Sequence, residues 1–274
     1  MPGRRSPPDR RLVGLVASPR SGTHFLQSLL RDHPAVDFHS EVFSSLARER
    51  ARWHPAAPEA YFLQWSAQVK GETDLRDPTL FRPVRVLEYL RDVRRRATAP
   101  VVGIDLKYWT WSWLSREGLA VVELEVDQWI HLVRRDLLRG VVSDLLRAAR
   151  GSFPHVAQGK PIAVRDLDAV ALEVQRRAAR IHWFRRFLEG RPHVEVVYED
   201  LFEDPAVGGQ SVRPVQQARI LDALGLRAPG RLLRSDEAKV NPADMRTRVT
   251  NYDALEAHMH AEVYPHLAAQ GLLV

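Results

Sequence analysis

Five short apolar runs alternate with helix-like segments, and this alternation is the feature that most constrains the fold. The runs are 12–17, 36–38, 101–106, 129–133 and 194–198, and the helix-like segments with apolar residues at helical spacing are 23–32, 84–96, 136–150 and 166–189. Strands separated by helices form βαβ units with parallel strands and helices on both faces of the sheet. We therefore predict an α/β, three-layer αβα architecture with a central, mostly parallel sheet. Ligands of such sheets bind beyond the carboxyl ends of the strands.

Length and composition indicate one large domain. The chain has 274 residues, of which 45% are hydrophobic, so it can bury a sizeable core. We predict a single domain over 12–274, preceded by a Pro/Arg-rich, disordered segment at 1–11. Two regions, around 40–83 and 151–165, lack a regular spacing of apolar residues. We predict that they are insertions that recognise the substrate.

Several classes of protein are disfavoured by the composition. The chain has no apolar run of about 18 residues and no apolar segment behind its basic N-terminus, so we expect no membrane span, no signal peptide and a cytoplasmic location. The absence of cysteine excludes disulfides, thiolate catalysis and cysteine-based zinc sites. The net charge of +6 comes from arginines spread along the chain without a nucleic-acid-binding signature, which favours an anionic ligand over nucleic acid.

A polar loop follows the first apolar run and leads directly into a helix. It reads Ser-Pro-Arg-Ser-Gly-Thr-His over 18–24. Free backbone N–H groups at the helix N-terminus, close approach at Gly22 and a bidentate donor at Arg20 suit a phosphate or sulfate. The alternative is that Ser18 or Ser21 only caps the helix. No Walker A loop and no Gly-x-Gly-x-x-Gly motif is present, which disfavours ATP, GTP and NAD.

A second strand-to-helix junction carries Arg135 at the strand end and Ser143 two turns into the helix. One guanidinium and one hydroxyl could converge on a second phosphate. An arginine at a strand end and a serine on a helix surface are also common without any ligand.

Together the two loops resemble the sulfotransferases that use 3′-phosphoadenosine 5′-phosphosulfate (PAPS), particularly bacterial enzymes that modify carbohydrates and small molecules. In that family a Pro-[Arg/Lys]-Ser-Gly-Thr loop binds the 5′-phosphosulfate, and an Arg followed eight residues later by Ser binds the 3′-phosphate. The matching residues here are Pro19, Arg20, Ser21, Gly22 and Thr23, with His24 adjoining them, and then Arg135 and Ser143. The stretches 197–201 and 251–255 are also similar, so the resemblance spans about 12–258.

The resemblance implies a P-loop-NTPase-like sulfotransferase fold and a defined chemistry. PAPS would be the co-substrate, 3′-phosphoadenosine 5′-phosphate (PAP) the product, no metal would be needed, and the acceptor would be a hydroxylated small molecule or carbohydrate. It leaves the acceptor and the oligomeric state open. A Glu after the second strand is the proposed base in the similar enzymes, which corresponds to Glu41, with His39 and then Asp105 as alternatives.

Three further residues complete the predicted catalytic set. Arg20 and Lys107 would stabilise charge on the sulfuryl and leaving groups, and His24 could donate to the same oxygens. The sequence departs from its relatives at Asp105, where a Lys is common, while Lys107 lies two residues later on the same strand face. The contribution of the third strand to catalysis is therefore open.

Tryptophans in one segment and acidic residues in another recur at every second position, and each pattern has a functional and a structural explanation. Trp109, Trp111 and Trp113 recur every second residue, so a strand there would aim three indoles at one face, either for stacking on an acceptor or for the core. Glu123, Glu125 and Asp127 also alternate, as on an exposed strand face, and they resemble a metal cluster only superficially.

Two other functions fit the same fold. A P-loop-like small-molecule kinase would share the strand, phosphate loop and helix, although the Walker lysine is missing. A non-catalytic nucleotide-binding pseudoenzyme would keep both phosphate loops and have lost its chemistry at Asp105.

Overall fold

The centre of the protein is a five-stranded, fully parallel sheet. The computed structural model describes residues 10–44, 61–74, 77–112, 114–149, 161–202, 212–237 and 244–273. The strands are β1 (Arg11–Ala17), β2 (Val36–His39), β3 (Val101–Lys107), β4 (Gln128–Val133) and β5 (His193–Val197), in the spatial order β2-β3-β1-β4-β5. Every pairing is parallel. The predicted fold class and all five strands are confirmed, with their ends shifted by at most one residue.

Helices connect the strands and cover both faces of the sheet. They are α1 (Thr23–Arg31), α2 (Phe62–Lys70), α3 (Pro83–Arg96), α4 (Arg116–Glu125), α5 (Leu137–Ala149), α6 (Leu167–Leu188), α7 (Pro214–Ala223), α8 (Tyr252–His258) and α9 (Tyr264–Ala269). A π-helical turn over Met259–Val263 joins α8 to α9. The four helices predicted from periodicity are α1, α3, α5 and α6.

Both faces of the sheet are buried, which explains why its strands are continuous apolar runs. Leu12 and Val16 of β1 belong to one core, which also contains residues of α2, α3, α5 and α6. Val13, Leu15 and Ala17 belong to the opposite core with residues of α1 and α7. Because successive side chains of a strand point to opposite faces, a central strand covered on both sides has no polar alternation.

The described tryptophans Trp109 and Trp111 do not lie on a strand, and of the two alternatives Trp111 follows the core one. Residues Tyr108–Ser112 form a 3₁₀ helix that begins where β3 ends, and Ser112 Oγ donates to the carbonyl of Trp109 across 2.7 Å. The indoles therefore do not line one strand face. Trp111 packs into the core, with its ring 6.2 Å from that of Trp129 and 4.9 Å from that of Phe184. Trp113 lies outside the described residues.

The acidic alternation also does not lie on a strand. Glu123 and Glu125 belong to α4, where positions two apart point in different directions. Each acid pairs with a different arginine: Glu123 with Arg191, Glu125 with Arg91 and Asp127 with Arg94. Among the described residues, no three His, Asp or Glu side chains lie together in an arrangement that would hold a metal ion.

The structure describes parts of the predicted N-terminal segment and of the predicted insertions. Arg11 is the first residue of β1, so the segment predicted to be disordered does not reach position 11. In the region 40–83, α2 contributes Phe62 and Trp65 to the core, and this part is therefore a packed helix. Residues 45–60 and 75–76 of that region and 151–160 of the second predicted insertion lie outside the described residues. No described helix is both long and apolar enough to cross a membrane.

The strand register brings the predicted site residues to one edge. Ala17 at the end of β1 lies beside Lys107 at the end of β3 and beside Leu132 near the end of β4. The loop after β1, the last residue of β3 and the junction after β4 therefore meet at the carboxyl edge of the sheet.

Candidate functional site

The loop after β1 contains two residues with a left-handed backbone conformation. Arg20 has φ +62° and Gly22 has φ +89°, both in the left-handed region. Alternation of left- and right-handed residues forms the concave amide nests that bind anions. A Cβ at Gly22 would lie 2.2 Å from the ring of Tyr198, so only glycine fits against that ring.

Helix α1 begins at this loop without a side-chain cap. Its N-cap residue is Gly22, where no side-chain cap hydrogen bond is made within the described residues, and the first turn contains no acidic residue. The capping alternative for Ser18 and Ser21 is therefore wrong. Ser18 is buried, and its Oγ has no hydrogen-bond partner among the described residues. Uncapped amides beside a buried, unpaired hydroxyl fit an anionic group at this helix N-terminus.

Arg20 reaches from the loop to helix α5. Its Nε donates to Ser143 Oγ across 3.0 Å. Burial lowers the pKa of the Arg20 guanidinium, and the nearby Asp144 opposes that shift. An arginine remains protonated at neutral pH even so, and Arg20 places a positive charge beside the uncapped helix.

Lys107 connects helix α1 to two carboxylates, those of Asp105 and Glu41. Its Nζ donates to Thr23 Oγ1 and to Asp105 Oδ2, the latter across 2.8 Å. The same nitrogen lies 3.8 Å from Glu41 Oε1. The Lys107 side chain is only 3% exposed, and both carboxylates are buried as well. The predicted Lys107 and Glu41 are thus brought together by the fold.

Asp105 is the deeper of the two carboxylates. Burial raises its pKa, Lys107 opposes this shift, and the negative charge of Glu41 adds to it. Gln27 Nε2 donates to Asp105 Oδ2 across 2.6 Å, while Oδ1 has no partner among the described residues. Gln27 was not predicted, although its spacing of four residues from Thr23 on α1 places both on one helix face.

Glu41 follows β2 in a left-handed conformation, with φ +35°. Such a conformation is costly for a residue with a Cβ and is found where surrounding structure imposes it, often at functional sites. His24 Nε2 lies 3.9 Å from Glu41 Oε1, and the His24 side chain is more than half exposed. His39, the other predicted base, lies at the end of β2 with its Nε2 3.7 Å from Asp37 Oδ2.

The second predicted pair is arranged differently from the first. Ser143 is buried and accepts from Arg20, so it adjoins the first loop. Arg135 is 51% exposed, and its guanidinium faces Asp200 at 3.1 Å. Glu199 accepts from the backbone N–H of Arg135 at 2.9 Å and thereby fixes the junction after β4. Ser143 and Arg135 therefore contact different residues: Ser143 contacts Arg20, and Arg135 contacts Asp200.

Comparisons with known proteins give likenesses among solved structures only. No protein-family model matches the chain, and no curated protein matches it either. Among solved structures, the chain is similar to the sulfotransferase domain from the Synechococcus PCC 7002 olefin synthase. The identity is 17% and the TM-score 0.44, over 90% of this chain and 89% of that chain.

Proposed function

We propose that this protein transfers a sulfuryl group from PAPS to a hydroxyl of a small-molecule or carbohydrate acceptor. The observation that carries the proposal is the position of Lys107, whose ammonium contacts Thr23 at the start of the phosphate-loop helix and lies 3.8 Å from Glu41. A cation shared by an anion site and a buried carboxylate suits transfer of an anionic group onto an oxygen that must lose a proton.

The residues of the loop fit the phosphosulfate end of the donor. The unpaired Ser18 Oγ, the uncapped amides of α1 and the Arg20 guanidinium are the donors that such an anion needs. Gly22 allows the loop to lie against the Tyr198 ring, because a Cβ at this position would be 2.2 Å from the ring. Arg135 and Ser143 are proposed to contact the 3′-phosphate, for which Arg135 would have to exchange Asp200 for the ligand.

Glu41 is proposed to accept the proton of the attacking hydroxyl. Lys107 and Arg20 balance the negative charge on the sulfuryl oxygens and the leaving phosphate, and His24 supplies a further donor at the exposed side. Positioning and electrostatics dominate transfers of this type, as they do in phosphoryl transfer. No step in this scheme requires a metal ion.

Ligand-dependent stability tests the donor. A ligand that binds only the native state raises the unfolding temperature, so we expect PAP to protect the protein against heat and ATP with Mg²⁺ not to do so. The opposite result would favour the small-molecule kinase and contradict the sulfotransferase proposal.

Turnover tests the chemistry and the base. Purified protein would be incubated with sulfate-labelled PAPS and a panel of hydroxylated acceptors, including simple sugars and phenols. We expect labelled product with the wild type and with His39→Ala, and a loss of at least about 100-fold with Glu41→Gln, the size usual for general-base removal. Binding of PAP without turnover on a broad panel would favour the pseudoenzyme, and full activity of Glu41→Gln would exclude Glu41 as the base.

A further inference from the structure

A buried arginine, Arg177, and a partly buried one, Arg134, hold consecutive carbonyl groups of the phosphate loop. Arg177 of α6 donates from Nη1 to the carbonyl of Pro19 across 3.3 Å. Arg134, which follows β4, donates from Nη1 to the carbonyl of Arg20 across 2.9 Å. These are two successive peptide groups of one loop, held by side chains from two different elements.

The carbonyl contacts determine where the loop amides point. A peptide group is planar and trans, so its N–H points away from its C=O. Fixing the carbonyls of Pro19 and Arg20 on the arginines therefore turns the N–H groups of Arg20 and Ser21 to the opposite side. The left-handed conformation of Arg20 brings such neighbouring amides together into an anion nest.

The surroundings of Arg177 keep its guanidinium in one orientation. Nη2 donates to Asp144 across 2.6 Å and Nε to Glu173 across 3.2 Å, which leaves Nη1 for the loop. The side chain is only 6% exposed, so these contacts are made away from water. A Cβ at Gly140 would lie 3.0 Å from Nη1, so glycine at this position of α5 gives Arg177 room to reach the loop.

We propose that Arg177, assisted by Arg134, is a positioning residue that orients the loop amides for the donor anion. The identity of the anion rests on the proposed function, whereas the orientation of the peptides does not. Arg177 contacts the backbone of the loop from behind, so it acts through the amides of Arg20 and Ser21. Asp144 and Ser143 are neighbours on α5, so the residue that orients Arg177 adjoins the residue that accepts from Arg20.

The test compares two arginines of α6 that contact the same Glu173. Arg180 is about half exposed, with Nη1 3.7 Å from Glu173 Oε1, and serves as the control. We expect Arg177→Met to weaken PAP binding about tenfold, a change of about 1.4 kcal/mol, and Arg180→Met to leave it within twofold. Calorimetric titration would be done well below the unfolding temperature of each variant. Unchanged affinity of folded Arg177→Met would overturn the proposal.

A second measurement separates a positioning role from a merely structural one. A crystal structure of Arg177→Met should show the Pro19–Arg20 peptide rotated from its native orientation, and an unrotated peptide would contradict the proposal. If Arg177→Met does not fold, Arg177→Lys keeps the charge beside Asp144 and Glu173 but lacks the planar fork of donors. That variant should be folded and still bind PAP more weakly.

Failure of the proposed function can be recognised separately. If the wild type does not bind PAP, the nucleotide assignment is wrong, and inorganic pyrophosphate replaces PAP as the probe. Weaker pyrophosphate binding by Arg177→Met than by Arg180→Met would support the positioning role with another anion. Equal binding of pyrophosphate by both variants would overturn it.

Discussion

Lys107 donates a hydrogen bond from Nζ to Asp105 Oδ2 across 2.8 Å, and both side chains are buried. The ammonium is thus the counter-charge of a carboxylate that has little access to water. With Glu41 Oε1 3.8 Å from the same ammonium, one lysine serves two buried acids. Burial of a charge is tolerated only when it is paired and hydrogen-bonded.

Lys107→Met should therefore destabilise the protein as well as inactivate it. Breaking a buried ion pair costs about 3–5 kcal/mol because the remaining charge is left without a partner. Activity should fall by about 100-fold or more, the usual effect of removing a group that stabilises transition-state charge. Urea unfolding and turnover with PAPS measure the two effects.

The matched variant is Asp105→Asn, alone and combined with Lys107→Met. Asparagine keeps an acceptor for Lys107 and Gln27, so the single variant should lose less stability than Lys107→Met. The double variant should be more stable than Lys107→Met, because the unpaired carboxylate is gone. A double variant that loses the sum of both single effects would show that the two residues do not interact.

The unpaired hydroxyl of Ser18 predicts opposite effects on stability and binding. A buried polar atom without a partner is unfavourable, so Ser18→Ala should leave the free energy of unfolding unchanged or raise it by up to about 1 kcal/mol. The same change should weaken PAP binding several-fold, because a donor to the anion is lost. Urea unfolding measures the change in stability, and calorimetric titration measures the change in PAP affinity.

Ser66 of α2 provides the control for Ser18. It is also buried, and its Oγ also lacks a partner among the described residues. Ser66→Ala should resemble Ser18→Ala in stability and resemble the wild type in PAP affinity. If both variants bind PAP as the wild type does, Ser18 is not part of the anion site.

The sequence predicted the sheet well because its strands are buried on both faces. A central parallel strand is a continuous apolar run, and each of the five runs lies within two residues of an observed strand. Recurrence of a residue type at every second position was a less reliable signal of a strand. Trp109 and Trp111 show this spacing but belong to a 3₁₀ helix, because the chain turns directly after β3.

Two of the predicted site residues lie close together, whereas the contacts of Ser143 and Arg135 were not predicted. Lys107 Nζ lies 3.8 Å from Glu41 Oε1, Ser143 contacts Arg20 in the first loop, and Arg135 contacts Asp200. The contact of Arg177 with the Pro19 carbonyl joins positions 158 residues apart. Packing of α6 against the sheet determines such a contact, and no local pattern in the sequence encodes it.

A polar cluster that begins at Tyr108 predicts a specific loss of stability in acid. Tyr108, directly after Lys107, contacts His131 Nε2 at 2.7 Å, and His131 Nδ1 lies 3.1 Å from Glu195 Oε2. Burial lowers the pKa of His131, so the ring is neutral at pH 7 and donates to Glu195. Arg185 donates twice to the same carboxylate, at 2.8 Å each.

Glu195 should stabilise the fold above about pH 5 and lose this effect in acid. Burial opposes its ionisation, but the hydrogen bonds from His131 and Arg185 outweigh burial and lower the pKa of Glu195 from 4.5 to about 2. The unfolded state then binds the proton first, so stability falls as the pH falls from about 4.5 toward 2. Glu195→Gln should flatten this part of the curve of unfolding free energy against pH, and Glu189→Gln, an exposed residue at the end of α6, should not.

Gly22 and Gly71 separate two effects of a glycine with positive φ. Their φ angles are +89° and +70°, so alanine is strained at both, by about 1–2 kcal/mol. A Cβ at Gly71 meets no atom within 4 Å, whereas at Gly22 it would lie 2.2 Å from two ring atoms of Tyr198. Gly22→Ala should therefore lose more stability than Gly71→Ala in urea unfolding.

The two alanine variants should also differ in ligand binding. Displacement of Tyr198 or of the loop would move the amides at the start of α1, so folded Gly22→Ala should bind PAP at least tenfold more weakly. Gly71 lies at the end of α2, and its alanine variant should bind PAP like the wild type. Gly22→Ala combined with Tyr198→Ala removes the clash with the ring, so the double variant should lose less stability than the sum of the two single variants. Equal stability losses in Gly22→Ala and Gly71→Ala would mean that Tyr198 moves aside without cost and that the ring does not fix the loop.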